Sequence, residues 1–554
     1  MPKTETGRIA PGRHRSRPPD AASAEALSLE ASALVDRGEA DRGLELYRQA
    51  TRIDPHLAGA WLGLGIQLKQ QRDFAEGFRC LLRAIAEADR KLRKFPGDRP
   101  SHVARGMAYT VVFHPREAVR SFRRALEMAP DIRLHSQVIY LLSFLPETTP
   151  EALYAEAGRF HSIHAAHVAR PVQRFANLAD PGRRLKIGYV SPDLCEHPVM
   201  KFLPPVLESH DRAQFSVTVY SASRKTDART AEVAKLVDSF VPCLESGRAL
   251  DERIRADEID ILVDLAGHTM PLEYYWAFAR KAAPIQVNWM GFLSTTGLQT
   301  MDYFLGNAEM PCPGTEPCFS ETVYRLPRVP YCYRAAVDAA LTPTPWLERG
   351  YITFGSFNGP NKIGREVVKV WAEILRRVPQ SRILMKYWSL DTKVMRDRYQ
   401  GWFRKEGIAG ERIEFEGPAG TKEYLAAYSR IDIALDPFPY QGGATTMDTL
   451  WMGVPMVAMD GRLAVQRAST TALKSVGLPD TIASSPEQYV KAAVFLAGIV
   501  GRIPGIRRNI RKAFQSSAYM DEAGFTRELE AAYRDMWRIW CRKQADGGGA
   551  RPGT

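Results

Sequence analysis

Two histidines follow short apolar runs of the kind that form buried strands. His197 comes after the run 185–190, and His268 comes after the run 259–264. Loops at the carboxyl ends of parallel strands commonly bind ligands. An imidazole in such a loop could orient an acceptor hydroxyl or take its proton. Because a lone histidine is often structural, each of the two has a catalytic and a structural interpretation.

The segment 442–446 reads Gly-Gly-Ala-Thr-Thr and precedes an apolar helical pattern. Backbone N–H groups and hydroxyls at a helix N-terminus bind phosphate groups well. Glycine lets the chain come close to such a ligand. Gly442, Gly443, Thr445 and Thr446 therefore predict a diphosphate site.

Two charged residues extend this predicted donor site. Lys362 follows a strand end at Asn358 and could neutralise a leaving diphosphate. Asp448 lies one turn into the helix and could accept hydrogen bonds from ribose hydroxyls. Taken singly, the threonines could merely cap a helix and the lysine could lie on the surface. Together, on successive loops of one sheet, they favour nucleotide-sugar binding.

The sequence points away from a metal-bound donor. It contains no Asp-x-Asp pair that a divalent ion could bridge to a diphosphate. His161, His164 and His167 would spread over about a third of a helix circumference, without a carboxylate or cysteine at ligand spacing. We expect these three on a solvated linker helix, and we expect neither a metal nor a cofactor.

Short apolar runs alternate with helical patterns from residue 185 onward, which predicts parallel sheets covered on both faces. The first group of runs is 185–190, 217–220, 259–264, 285–289, 303–305 and 322–325. The second group starts at Ile352 and continues with 383–386, 413–415, 431–435 and 455–458. Two open sheets in tandem place a ligand cleft between them.

Characteristic motifs stand in order along both groups of runs. They are Ile187–Asp193 with His197-Pro198, Leu265–Thr269, Ala283–Gly291, Thr295–Gly297, Met301–Tyr303, Phe354–Asn358 with Lys362, Asp432–Tyr440 and Thr445–Pro455. From about residue 186 to about residue 520, this set resembles the O-linked N-acetylglucosamine transferases and their SPINDLY relatives, glycosyltransferase family 41.

The resemblance implies an α/β fold of the GT-B type, with two Rossmann-like domains preceded by an all-α tetratricopeptide solenoid. In the family, the histidine matching His197 lies at the active site, and the matching lysine, threonines and aspartate bind the phosphates and ribose. The resemblance adds Arg467, which matches a basic family residue, and Tyr424, whose ring could stack on a base.

The chain departs from its animal relatives at three donor-contacting places. They carry glutamine at the position of Gly359, histidine at that of Tyr424, and a histidine just before the threonine pair, where this chain has Gly443 and Ala444. The donor is therefore predicted less firmly than the fold, with UDP-N-acetylglucosamine first and GDP-fucose as the alternative.

Three segments ahead of these motifs share apolar residues at a spacing of about 34 residues, the tetratricopeptide period. The matching positions are Ala31, Leu34, Gly43, Tyr47, Ala50 and Pro55; Trp61, Leu64, Gly65, Leu68, Gly77, Leu81 and Ala84; and Gly106, Tyr109, Ala118, Phe122, Ala125 and Pro130. Three copies can form a stack whose concave surface holds a peptide or partner protein. The alternative is a helical bundle without a binding role.

The predicted organisation has six parts. They are a disordered basic tail (1–22), tetratricopeptide repeats (23–132), a helical linker (133–185), an N-terminal catalytic Rossmann-like domain (186–345), a C-terminal nucleotide-sugar-binding domain (346–520), and a C-terminal helix with a loose end (521–554).

Composition limits the partners. A net charge of +12 would attract nucleic acids, acidic membranes and diphosphates alike. No aromatic-basic motif supports nucleic-acid binding. The seven cysteines are scattered without C-x2-C spacing, which favours a reducing cytoplasm. No apolar run suits a signal peptide or a membrane span, so we expect neither.

These patterns and the resemblance lead to one functional hypothesis. The chain is an inverting, metal-independent transferase that moves N-acetylglucosamine from UDP to Ser or Thr hydroxyls of proteins held partly by the repeats. His197, Lys362 and His268 are the candidate catalytic residues. The alternatives are a SPINDLY-like fucosyl transfer from GDP-fucose and a catalytically silent tetratricopeptide scaffold.

Overall fold

The computed structural model describes residues 19–168, 175–223, 225–244, 246–269 and 274–547. The chain divides into two compact units, Met1–Met128 and Ala129–Thr554. The predicted basic tail (1–22) lies mostly outside the described residues, and so do residues 548–554 of the predicted loose end. No helix in the described ranges is both long and apolar enough to cross a membrane.

The first unit is built from three helical hairpins, as the repeat pattern predicts. Their helices are α1 (Pro19–Asp36), α2 (Ala40–Ile53), α3 (Ala58–Gln70), α4 (Phe74–Lys94), α5 (Arg99–Val111) and α6 (Pro115–Met128). The glycines of the repeat sit where helices touch. A Cβ on Gly65 would lie 2.9 Å from the carbonyl oxygen of Gly77, and a Cβ on Gly106 would lie 2.4 Å from the ring of Phe122. Larger residues there would force the paired helices apart.

The second unit starts with two helices, α7 (Ile132–Leu142) and α8 (Pro150–Phe160), followed by a π-helical turn at His161–Ala165. This region is part of the second compact unit rather than a solvated linker. A Cβ on Gly297, whose φ is +74°, would lie 2.3 Å from the carbonyl oxygen of Ala157 in α8. His161 is 7% exposed, so the expected solvated histidine helix is wrong at this residue.

All strands of the first sheet are parallel, in the order β3-β2-β1-β4-β5-β6-β7. Its strands are β1 (Leu185–Ser191), β2 (Phe215–Ser221), β3 (Ser239–Val241), β4 (Ile261–Asp264), β5 (Ile285–Asn288), β6 (Tyr303–Asn307) and β7 (Thr322–Leu326). The helices between them are α9 (Leu203–Ser209), α10 (Ala228–Lys235), α11 (Gly247–Ala256) and α12 (Tyr275–Ala279). The six predicted strands are confirmed to within two residues at each end, and β3 was missed.

The second sheet is also parallel, in the order β10-β9-β8-β11-β12-β13. Its strands are β8 (Thr353–Ser356), β9 (Arg382–Lys386), β10 (Ile413–Glu416), β11 (Ile433–Leu435), β12 (Met456–Met459) and β13 (Ile482–Ala483). The accompanying helices are α13 (Trp346–Arg349), α14 (Arg365–Arg377), α15 (Lys393–Lys405), α16 (Thr421–Ala426), α17 (Ala444–Trp451), α18 (Ala468–Ser475) and α19 (Pro486–Ile499). Two Rossmann-like sheets in tandem confirm the predicted GT-B architecture.

Two helices at the end of the chain join the two sheet domains. Helix α20 (Ile506–Gln515) packs on α17 of the second domain, and α21 (Glu522–Gly547) returns to α9, β5 and β7 of the first. Phe525 stacks on Trp289 with centroids 6.0 Å apart, and Glu530 accepts a bond from His210 at 2.9 Å. The predicted C-terminal helix therefore packs on the first sheet domain through Phe525 and Glu530.

Candidate functional site

Loops from both sheets line one cavity of about 410 Å³. The segments that line it follow β1, β4, β5 and β7 in the first sheet and β8, β9, β11 and β12 in the second. Helix α7 adds Tyr140 to the lining. Since the carboxyl ends of parallel strands are where such folds bind ligands, this cavity is the candidate site.

The predicted phosphate loop lies at this cavity. Gly443, Ala444 and Thr445 line it at the N-terminus of α17, where the first N–H groups of a helix lack partners within it. The Thr445 hydroxyl donates to Asn358 Oδ1 at 2.9 Å. Asn358 also lines the cavity, so the loops after β8 and β11 are bonded to each other.

Behind this loop, buried groups fix its shape. The Gly442 N–H donates to Asp436 Oδ1 at 2.9 Å, and a Cβ on Gly442 would lie 2.5 Å from the Thr446 hydroxyl. The Thr446 hydroxyl lies 2.7 Å from that of Ser469, which in turn donates to Asp436 at 2.7 Å. Gly442 and Thr446 therefore support the loop from behind, whereas Thr445 points to the cavity side.

Lys362 ends a short 3-10 turn after β8 and lines the same cavity. Its ammonium donates to the Gln441 carbonyl oxygen at 2.8 Å. Burial lowers the pKa of Lys362 to about 8, although the carboxylate of Asp436 acts in the opposite direction. The ammonium is thus a charge held next to the predicted phosphate loop, in the position to meet an anion.

His197 lines the cavity from the opposite domain. Its side chain is 44% exposed, and its Nδ1 accepts the Val199 N–H at 3.4 Å. Partial burial lowers the pKa of the imidazole, against the effect of Asp193, whose carboxylate oxygen lies 3.9 Å from Nδ1. A neutral ring that accepts at Nδ1 carries its proton on Nε2, which is then a hydrogen-bond donor.

His268 does not reach the cavity, which corrects its prediction as a catalytic residue. It is 0% exposed, its Nδ1 lies 2.8 Å from the Ser136 hydroxyl, and its Nε2 lies 2.9 Å from the Thr296 carbonyl oxygen. Burial lowers its pKa to about 4. With both ring nitrogens engaged, His268 joins α7 to the first sheet domain.

Asp448 lies one turn into α17, and both of its carboxylate oxygens already accept hydrogen bonds. Both of its oxygens accept from Lys201 Nζ, at 2.6 and 2.7 Å. Tyr333 donates to it at 2.7 Å and Tyr424 at 3.1 Å. Asp448 and Tyr424, both predicted to bind the donor, are engaged with one another and with Lys201 of the first domain.

Arg467 also bridges the two sheet domains in this structure. Its guanidinium pairs with Glu309 of the first domain at 3.0 Å and with Asp460 of the second at 3.2 Å. Only its neighbours Val465 and Ala468 line the cavity. The predicted donor-binding arginine is therefore placed between domains rather than in the cavity.

Sequence reasoning missed Tyr140 and Tyr440, which line the cavity, and Lys201 and Asp436, which bond to predicted donor-site residues from behind. Tyr140 lies in the segment predicted as a linker, and Lys201 ends the 3-10 turn that begins after His197. Asp436 and Tyr440 had a usable signal, since they follow the apolar run that forms β11. Among the described residues, no group of three or more His, Cys, Asp or Glu side chains is placed to hold a metal ion.

Comparisons with known proteins point in one direction. The model of the family described as glycosyl transferase family 41 matches residues 129–330 and 346–529. The first of these ranges begins where the second compact unit begins, so α7 and α8 belong to the matched region.

Named relatives match the same part of the chain. A probable UDP-N-acetylglucosamine–peptide N-acetylglucosaminyltransferase SPINDLY of Petunia hybrida is 35% identical over 424 residues, which is 75% of this chain and 45% of the relative. The similarly named SEC protein of Arabidopsis thaliana is 28% identical over 70% of this chain and 40% of its own length. The chain thus spans about half the length of these curated relatives.

A solved structure matches over nearly the whole chain. The O-GlcNAc transferase of Thermobaculum terrenum, in a lysine-to-methionine mutant, has a TM-score of 0.85 and 32% identity to this chain. The match covers 96% of this chain and 100% of the solved one.

Proposed function

This chain belongs to glycosyl transferase family 41, and on that premise we propose that it is an inverting, metal-independent protein glycosyltransferase. The proposed reaction moves N-acetylglucosamine from UDP-N-acetylglucosamine onto Ser or Thr hydroxyls. The observation that carries the proposal is one cavity in which Lys362 and the N-terminus of α17 face His197 from the other domain.

The two sides of the cavity suit the two halves of the reaction. The departing UDP carries the developing negative charge, which Lys362 and the first N–H groups of α17 would stabilise more in the transition state than in the bound donor. This fixed ammonium supplies the positive charge that a divalent ion supplies in other transferases. On the opposite side, Nε2 of His197 would orient the acceptor hydroxyl for attack from the face away from the leaving group. The hydroxyl oxygen bonds to the anomeric carbon as the bond from that carbon to the diphosphate oxygen breaks. The hydroxyl proton passes to solvent, and the anomeric carbon is inverted.

The acceptor and the setting are further parts of the proposal. The hairpin stack of the first unit is a surface of the kind that holds extended peptides, so the acceptor is proposed to be a protein. All seven cysteines are free thiols, which suits a reducing compartment such as the cytoplasm.

Radiolabelled UDP-N-acetylglucosamine tests the proposal directly. Purified protein is incubated with this donor and a lysate treated to remove endogenous transferases, and label on protein and released UDP are both counted. Lys362→Met serves as the matched inactive control. Label transfer that depends on Lys362 supports the proposal, and its absence with every acceptor would reject it.

GDP-fucose is the second candidate donor, because Gly359, Tyr424 and Gly443 differ from the animal relatives at donor-contacting places. A thermal-shift series with UDP and GDP separates the two, since a nucleotide that binds the folded state raises the unfolding temperature with its concentration. A larger shift with GDP would replace UDP-N-acetylglucosamine by GDP-fucose. No shift with either would favour the scaffold alternative.

A further inference from the structure

An aromatic pair connects α7 to the phosphate loop. Phe144 lies just beyond the end of α7 and is 5% exposed. Its ring stacks on that of Tyr440, with centroids 4.5 Å apart and planes within 12°. Tyr140 contacts Phe144 edge-on at 5.1 Å. The loop between β11 and α17 is thus held by a segment that precedes the first sheet.

The same tyrosine ring is the neighbour of Lys362. The ammonium nitrogen lies 4.5 Å from the ring centroid of Tyr440, within the range of a cation–π contact. The Tyr440 ring is thus in contact with both Phe144 and the ammonium of Lys362. Tyr440 and Lys362 line the cavity, and Phe144 lies behind them.

These contacts use only part of the hydrogen-bonding capacity of the ammonium. An ammonium has three N–H donors. One donates to the Gln441 carbonyl at 2.8 Å, and the Tyr440 ring lies within cation–π range of the same nitrogen. An N–H is therefore left for a ligand in the cavity that both Lys362 and Tyr440 line.

We propose that Tyr440 is a positioning residue for Lys362, and that Phe144 fixes the ring so that the remaining N–H points at the departing phosphate. This inference rests on the proposed function, in which Lys362 stabilises the leaving diphosphate. It gives the segment just after α7 a part in catalysis, because Phe144 acts through Tyr440.

The arrangement also affects the titration of Lys362. Burial alone disfavours the charged ammonium, and the π face of Tyr440 favours it. Removal of the ring with the cavity kept apolar would therefore lower the pKa of Lys362 relative to the wild type. A purely structural role of Tyr440 would not move this pKa in that direction.

The test compares Tyr440→Leu with Tyr440→Phe in the full chain. Tyr440→Leu keeps an apolar side chain without a π face, and Tyr440→Phe keeps the ring and its stacking. We expect Tyr440→Leu to lower kcat about tenfold with a smaller change in the donor KM, and Tyr440→Phe to stay near wild type. Phe144→Leu, which frees the ring, should lower kcat by a smaller factor.

A second readout needs no sugar transfer. NMR of protein labelled with 13C at the lysine Cε, with the Lys362 signal assigned from Lys362→Met, follows the titration of this ammonium directly. We expect a lower pKa in Tyr440→Leu and an unchanged pKa in Tyr440→Phe. If Tyr440→Leu does not fold, Tyr440→Met, which also lacks a π face, takes its place in the test.

The outcomes separate the two proposals. An unchanged or raised Lys362 pKa in Tyr440→Leu, or the same shift in Tyr440→Phe, would overturn the positioning role. Wild-type protein that transfers no sugar, yet shows the expected Lys362 titration in both variants, would overturn the proposed function and leave the contact intact.

Discussion

Lys362 is partly buried, which gives the proposed reaction a defined pH dependence. In that proposal the ammonium form stabilises the leaving diphosphate, so kcat/KM for the donor should fall as the pH rises through about 8. The direction of this effect follows from burial. Burial disfavours the charged form, so the ammonium loses its proton at a lower pH than an ordinary lysine does. A bound diphosphate favours the ammonium, and the fall in kcat should therefore lie at higher pH than the fall in kcat/KM.

Initial rates measured from neutral to alkaline pH give the pH at which kcat and kcat/KM each fall. Lys362→Arg is the matched control, because a guanidinium stays charged over this range. The residual activity of Lys362→Arg should show no fall near pH 8. A fall at the same pH in Lys362→Arg would show that a group other than Lys362 titrates there.

For single residues, the sequence predicted which residues line the cavity better than it predicted which residues they bond to. His197, Lys362, Asn358 and Thr445 line the cavity, as expected of residues at strand ends. His268 also follows a strand, but its ring bonds to Ser136, which lies 132 positions earlier in the chain. Position in sequence predicts the edge of the sheet at which a residue lies, and cannot predict a partner supplied by a distant helix.

At the scale of elements, the turn Pro198–Lys201 and helix α17 are joined across the two sheet domains. The Asp448 side chain is 2% exposed and Lys201 is 20% exposed, so their ion pair is largely removed from water. Lys201→Met would leave the carboxylate buried with only the hydroxyls of Tyr333 and Tyr424. We expect the free energy of unfolding to fall by about 2 kcal/mol.

A double-mutant cycle in chemical denaturation measures this coupling. Lys201→Met combined with Asp448→Asn removes the unpaired charge and should recover part of the loss. The matched control is Lys186→Met, whose partner Glu258 lies 3.2 Å away with both side chains more than 40% exposed. It should cost less than about 1 kcal/mol. Equal losses in the two single lysine variants would contradict a structural role of the Lys201 pair.

Elements with strong apolar runs were predictable, and the shortest ones were not. Eleven of the thirteen strands follow such runs, whereas β3 has three residues and β13 has two. Strands this short contain too few positions to show a period, and they form because a neighbouring strand offers its hydrogen-bonding edge. Helices α7 and α8 were predicted as helices, but their packing against the catalytic domains has no local signature.

At the scale of the whole molecule, the chain separates into a repeat unit and a catalytic unit. This separation was visible in the sequence, because a period of about 34 residues gives way to alternating apolar runs. The predicted boundary at residue 132 lies near the division after Met128. What the sequence could not show is that the segment after this boundary supplies Tyr140 and Phe144 to the cavity and its loop.

Deletion of residues 1–128 should therefore separate two parts of the activity. All residues that line the cavity lie between Tyr140 and Ala468, within the second unit. Slow hydrolysis of the donor and UDP binding need only this cavity and should persist. Transfer to protein acceptors should fall much more than transfer to a short Ser/Thr peptide, because an extended repeat surface gains its affinity from many contacts along the acceptor.

A longer deletion, of residues 1–165, provides the contrast. It removes Ser136 and Phe144 together with Tyr140, so His268 loses a buried partner and Tyr440 loses the ring that stacks on it. Calorimetry with UDP and assays with both acceptors should show a loss of binding and hydrolysis only in the longer deletion. If the shorter deletion already abolished UDP binding, the repeat unit would be required for the donor site. If it left protein transfer unchanged, acceptor recognition would belong to the cavity itself.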